Sequence, residues 1–99
     1  MLDPRRLRVL REVATRGSFS AAAATLAYTQ SAVSQQVAAL ERESGTKLVE
    51  RGARGIRLTE AGRALVDHAD AILARLDDAE EELAAIAGLR GRSTAIPAQ

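Results

Sequence analysis

Leu65, Ala69, Ile72, Leu76, Ala79, Leu83 and Ile86 recur at alternating steps of four and three residues. This heptad stripe limits what the chain can become. Thr59 is a fitting N-cap ahead of it, so the spacing predicts a helix from Glu60 to about Ala87. At 1.5 Å per residue such a helix spans about 42 Å, further than a small core can cover. An apolar stripe on a projecting helix needs a partner, and pairing with a second copy through those seven residues is favoured over packing along a compact domain. Gly88 to Gln99 carries Gly88, Gly91, Ser93, Thr94 and Pro97 without periodicity and reads as a hinge or disordered tail.

Ahead of that helix the punctuation is dense. Asp3 is a good N-cap, Pro4 suits the first helical position, and Leu2 with Leu7 forms a hydrophobic staple. Leu7, Leu10, Val13 and Ala14 then make one apolar stripe, closed by Gly17. A short helix from about Ser20 to Leu26 follows, capped by Ser18 or Ser20 and filled with small alanines. Thr29 caps a third helix, Gln30 to about Ser44, which Gly45 stops. Two helices joined by a turn of about three residues make a helix-turn-helix. Residues 47–51 and 56–59 read as two short strands around Gly52-Ala53-Arg54-Gly55, a hairpin or wing. The expected fold is mainly α: a winged helix-turn-helix head over 1–59, a linker helix for dimerisation over 60–87, and the tail over 88–99.

Several chemistries are excluded. With no cysteine there is no disulfide, thiolate zinc site or cysteine nucleophile. His68 has Asp67 and Asp70 on other faces of its helix, so it reads as structural or solvated. No cofactor or metal is expected, and enzymatic activity is set aside, since a second His, a phosphate-cradling glycine loop and a paired-carboxylate pocket are all missing. No apolar run approaches a membrane span or a signal peptide, so a cytoplasmic protein is expected. Residues 1–66 carry eleven basic against six acidic residues, a net +5, whereas residues 67–99 carry a net −4. A basic front and an acidic back suit a head that meets a polyanion.

The third helix sharpens this. Val33, Val37 and Leu40 point inward, leaving Gln30, Ser31, Ser34, Gln35 and Ala38 on the other face. From Gly17 to Leu40 there is no charged residue. Solvated helix faces are ordinarily rich in Glu and Lys, whereas a small, uncharged, hydrogen-bonding face can enter a major groove without repelling phosphates. Glutamine can pair with adenine N6 and N7, and serine can reach base edges or phosphates. Thr29 opens the helix, whose free amides favour a phosphate. Arg54 at the hairpin tip, flanked by Arg51 and Arg57, suits the DNA backbone or a minor groove.

Gly17-Ser18-Phe19-Ser20, Ala22-Ala23 and Leu26 resemble the first half of the helix-turn-helix of LysR-type transcriptional regulators. Gln30 to Val37, Leu40-Glu41, Gly45, Leu48, Glu50-Arg51 and Leu58 to Gly62 continue the resemblance, which covers residues 2 to about 90. It implies a bacterial, sequence-specific binder of double-stranded DNA. It also implies a homodimer through the linker helix on an inverted-repeat operator, and a tetramer in a full-length protein. A small-molecule effector would act only through a sensor domain absent from this chain, which suggests truncation. By position it implies base or groove contacts from Gln30, Ser31, Ser34 and Gln35, and backbone contacts from Thr29 and Arg54. Three positions depart from the pattern: Ser31 stands where proline is common, Gln35 where arginine is frequent, and Val49 for the usual phenylalanine, which predicts thinner packing there. The rival readings are a coiled-coil protein-interaction adaptor without DNA binding, and a winged-helix regulator of another family, such as a molybdate-responsive one.

Overall fold

A computed structural model describes the backbone of residues 1–98, with the side-chain environments of residues 1–89. The element order is α1 (Pro4–Arg16), α2 (Phe19–Leu26), α3 (Gln30–Ser44), β1 (Val49–Gly52), β2 (Gly55–Leu58) and α4 (Glu60–Ala98). The mainly helical fold, with a two-stranded antiparallel wing, is the one expected.

Each head helix begins on a side-chain cap. Asp3 accepts from the amide of Arg5, Ser18 from Ala21 and Thr29 from Ala32, so orphan donors at all three N-termini are satisfied. Of the two serines considered for α2, Ser18 is the cap. α1 and α3 end on glycines with positive φ, Gly17 and Gly45. The C-cap of α2 is instead Ala27 at φ 59°, where a Cβ makes the left-handed conformation costly.

The core gathers Leu7, Val9, Leu10 and Val13 of α1, Phe19, Ala22 and Ala23 of α2, and Val33, Val37 and Leu40 of α3. Leu48 and Val49 close it below the wing. The thinner packing expected at Val49 does not expose that residue, which is buried.

The wing pairs Val49 with Leu58, Glu50 with Arg57, Arg51 with Ile56 and Gly52 with Gly55. Against the expected 47–51 and 56–59, β1 begins two residues later, and the pairing runs one residue further into the turn on each strand, to Gly52 and Gly55. At the later start stands Glu41, whose carboxylate accepts from the amides of Leu48 (2.8 Å) and Val49 (3.3 Å), tying the strand entrance to α3. Thr59 leaves the sheet as well, donating its hydroxyl to the carbonyl of Lys47 at 2.7 Å and accepting from the amide of Gly62.

α4 differs from expectation at both ends. Ala69 is fully buried and Leu65 packs against the core, so these two residues of the heptad stripe belong to the head and not to a free interface. Leu73, one step off the stripe, is 1 % exposed. The reason is α1, which lies along the first turns of α4 and adds an ion pair from Arg11 to Asp70 at 3.8 Å. At the other end the helix continues past Ala87 to Ala98, where the hinge was expected; Gln99 lies outside the described residues. A glycine inside a helix costs only about 1 kcal/mol relative to alanine, so Gly88 does not by itself end one. The result is a rod-and-head molecule, 63 Å along its longest axis.

Candidate nucleic-acid interface

α3 is held from behind by apolar packing and by α1. Val33, Val37 and Leu40 are buried, and Gln36 accepts at 3.0 Å from Nε of Arg6, which also pairs with Glu43. These links fix the rotation of α3 about its axis. The face turned away from the core then carries Gln30, Ser31 and Gln35, all exposed, with Ser34 and Ala38 half-buried beside them. No side-chain hydrogen bond engages Gln30, Ser31 or Gln35 among the described residues, so their donors and acceptors remain open to a ligand. At the start of the helix the Thr29 hydroxyl occupies the amide of Ala32. The preceding amides of Gln30 and Ser31 have no acceptor within the helix, the arrangement that favours a phosphate.

The three arginines do not form one uniform set. Arg54 sits in the two-residue tip between Gly52 and Gly55, exposed and without an ion pair among the described residues. Neither Ala53 nor Arg54 has a positive φ, so the tip is not a primed hairpin turn; the swing falls on Gly55, at φ 112°. Gly55 also lies against α1: a Cβ there would stand 2.8 Å from the carbonyl oxygen of Gly17. The same carbonyl accepts from the amide of Ile56 at 3.1 Å, so the wing is strapped to the α1–α2 junction. Arg57 is exposed and shares its charge with Glu50 at 3.9 Å. Arg51 turns back towards α3, its guanidinium over the ring of Phe19 at 4.7 Å from the centroid and Nη2 3.5 Å from Oγ of Ser34.

A cleft of about 580 Å³ separates α3 from the wing, lined by Phe19, Ser34, Val37, Ala38, Glu41, Val49 and Arg51 among others. The structure therefore puts Gln30, Ser31, Ser34 and Gln35 on the outer face of α3 behind the Thr29 cap and links Ser34 to Arg51, while Arg54 and Arg57 stand exposed on the wing. The roles of Glu41, Gly62 and the Phe19 ring were not apparent from sequence.

Residues 4–63 match the family model for bacterial regulatory helix-turn-helix proteins of the lysR family. The chain belongs to that family. An HTH-type transcriptional regulator of Azotobacter vinelandii, from the ibpB-leuC intergenic region, is 44% identical over 94 residues, covering 94% of this chain and 65% of the relative. A BenM_DBD/benA site 1 DNA complex superposes with a TM-score of 0.82 at 32% identity, covering 87% of this chain and 97% of that one. A CbnR_DBD-DNA complex gives 0.70 at 38% identity, over 95% and 99%. The chain spans between 22% and 65% of the length of the curated relatives it matches first. The match selects the lysR family over other winged-helix regulators, and the adaptor reading without DNA binding finds no support among these relatives. No helix among the described residues is long and apolar enough to cross a membrane.

Proposed function

We propose that this chain is the DNA-reading part of a lysR-family transcriptional regulator, with α3 in the major groove of double-stranded DNA. The observation that carries this is the exposed, uncharged, hydrogen-bonding face of α3, bounded by Arg51 and Arg54. Gln30, Ser31, Ser34 and Gln35 meet base or groove atoms. Gln35, with amide donor and acceptor both free, favours adenine. Because the Ser34 oxygen faces Nη2 of Arg51, its hydroxyl proton is left to donate, which suits acceptors such as guanine O6 or thymine O4. Thr29 and the opening amides of α3 take a phosphate, while Arg54 and Arg57 follow the backbone or an adjacent minor groove.

The exposed part of the α4 stripe, Ile72, Leu76, Ala79, Leu83 and Ile86, pairs with a second copy and sets two heads on an inverted repeat. Leu89 is also exposed on this helix. As a binder of operator DNA the protein would act in the cytoplasm, at the nucleoid, and no enzymatic step is proposed for it. Tetramer formation and control by a small molecule are assigned to the part of a longer protein that this chain does not span.

The test is selection from random double-stranded DNA followed by sequencing of the retained pool. Two half-sites in inverted orientation, about one helical turn apart, are expected, with affinity falling steeply as salt rises. A pool without an enriched motif overturns the reading.

A further inference from the structure

Phe19 is nearly buried, yet one face of its ring is covered by a cation and not by core. The arrangement links three elements. The ring comes from the start of α2, the guanidinium from β1, and the hydroxyl that Nη2 approaches from the outer face of α3. An arginine on a short exposed strand ordinarily samples many rotamers, and ordering it on binding costs affinity. Here the guanidinium sits over a ring that core packing holds still, with Nη2 within 3.5 Å of Ser34 Oγ, so part of the cost is met before DNA arrives. No carboxylate pairs with Arg51 within ion-pair distance among the described residues, although Glu50 is its neighbour in sequence. The charge is therefore stacked but not neutralised, with its other N–H donors at the mouth of the cleft between α3 and the wing.

We propose that Phe19 is a positioning residue for DNA recognition: its ring pre-orients Arg51 so that the guanidinium grips the phosphate flanking the base edges read by Ser34. The inference rests on the DNA-reading function proposed above. Arg51 then contributes to affinity for every sequence, and Phe19 contributes only through Arg51. Lysine cannot replace arginine here, because an ammonium keeps the charge but lacks the flat face that stacks and the fork that meets a phosphate.

The experiment is a double-mutant cycle on the full chain, read by fluorescence anisotropy with a duplex carrying the selected site, at several salt concentrations. Arg51→Ala is expected to weaken binding about tenfold for selected and scrambled duplexes alike, and to reduce the salt slope by about 1. Phe19→Met, which keeps apolar bulk but removes the ring, is expected to weaken binding about two- to fivefold when Arg51 is present. The same change is expected to have no further effect in the Arg51→Ala background. Arg51→Lys, at an exposed position where folding is not at stake, should keep the salt slope yet lose two- to fivefold in affinity. Equal losses from Phe19→Met in both backgrounds, or full affinity in Arg51→Lys, overturn the positioning role while leaving DNA reading intact. A wild-type chain that binds neither duplex at low salt overturns both.

Discussion

Replacing Gly62 with alanine sets two known effects against each other, and the structure decides the sign. Gly62 lies in the first turn of α4, so helix propensity alone predicts that alanine stabilises the chain by about 1 kcal/mol. A Cβ at this position would stand 2.0 Å from the carbonyl oxygen of Leu48, 3.0 Å from its carbon and 3.2 Å from Cδ2 of Leu58. The obstructing atoms are mainly backbone, so no rotamer change relieves them; the helix and the wing entrance must separate by well over an ångström. That movement breaks two contacts at the same place, the amide of Thr59 to the carbonyl of Leu48 at 3.0 Å and the Thr59 hydroxyl to the carbonyl of Lys47 at 2.7 Å. At about 1 kcal/mol each these cost about 2 kcal/mol. Loosening Leu48, which is 1 % exposed, adds about 1–2 kcal/mol, a fraction of the cost of removing such a side chain. Against the propensity gain, the net is a destabilisation of about 2–3 kcal/mol. For a domain of this size that lowers the melting temperature by about 10–20 °C. Thermal melts followed by circular dichroism, at one fixed protomer concentration for both proteins, measure it. A variant as stable as the parent, or more so, would refute the argument that close approach of α4 to the wing requires glycine.

Three further outcomes are expected. Gln35→Ala should cost about 1–3 kcal/mol on the preferred site and relax base preference at one position, whereas Arg54→Ala should weaken all sequences about evenly; equal loss of specificity from both, measured by repeating the selection, contradicts this division of labour. Leu76→Glu puts a charge in the middle of the exposed α4 stripe and should convert a dimer into monomers in sedimentation while weakening DNA binding; an unchanged dimer moves the interface elsewhere. Asp3 is held below its ordinary carboxylate value first by the side-chain hydrogen bond from Arg5, then by the backbone amide of Arg5. Its charged cap therefore stabilises α1 fully above the unfolded value and loses that contribution as pH falls through the lowered folded one. The gap in melting temperature between the parent and Asp3→Asn should close as pH falls from neutrality through and below the ordinary carboxylate range, and a gap that stays constant shows that the charge contributes nothing.

The local elements of this chain are legible in the sequence because their causes are local. Asp3, Ser18 and Thr29 cap helices by bonding an amide two or three residues ahead, and Gly17 and Gly45 stop them through their own φ, so residue type and spacing suffice. The outer face of α3 follows from the same logic, since the buried face Val33, Val37 and Leu40 leaves Gln30, Ser31, Ser34 and Gln35 on the other side. Tertiary structure decided what depends on distant partners. A heptad stripe records which residues share one side of a helix but not what covers them: α1 claimed Leu65, Ala69 and the off-stripe Leu73, and left the stripe from Ile72 onward exposed. Glu41 holds the entrance of β1 by accepting two amides seven and eight residues away. Arg51 and Phe19 meet across 32 positions of sequence because the amide of Ile56 donates to the carbonyl of Gly17, which straps the wing to the junction where α2 begins. Periodicity and capping report the chemistry within a turn or two of the chain, whereas partner choice is set by which surfaces the whole fold presses together.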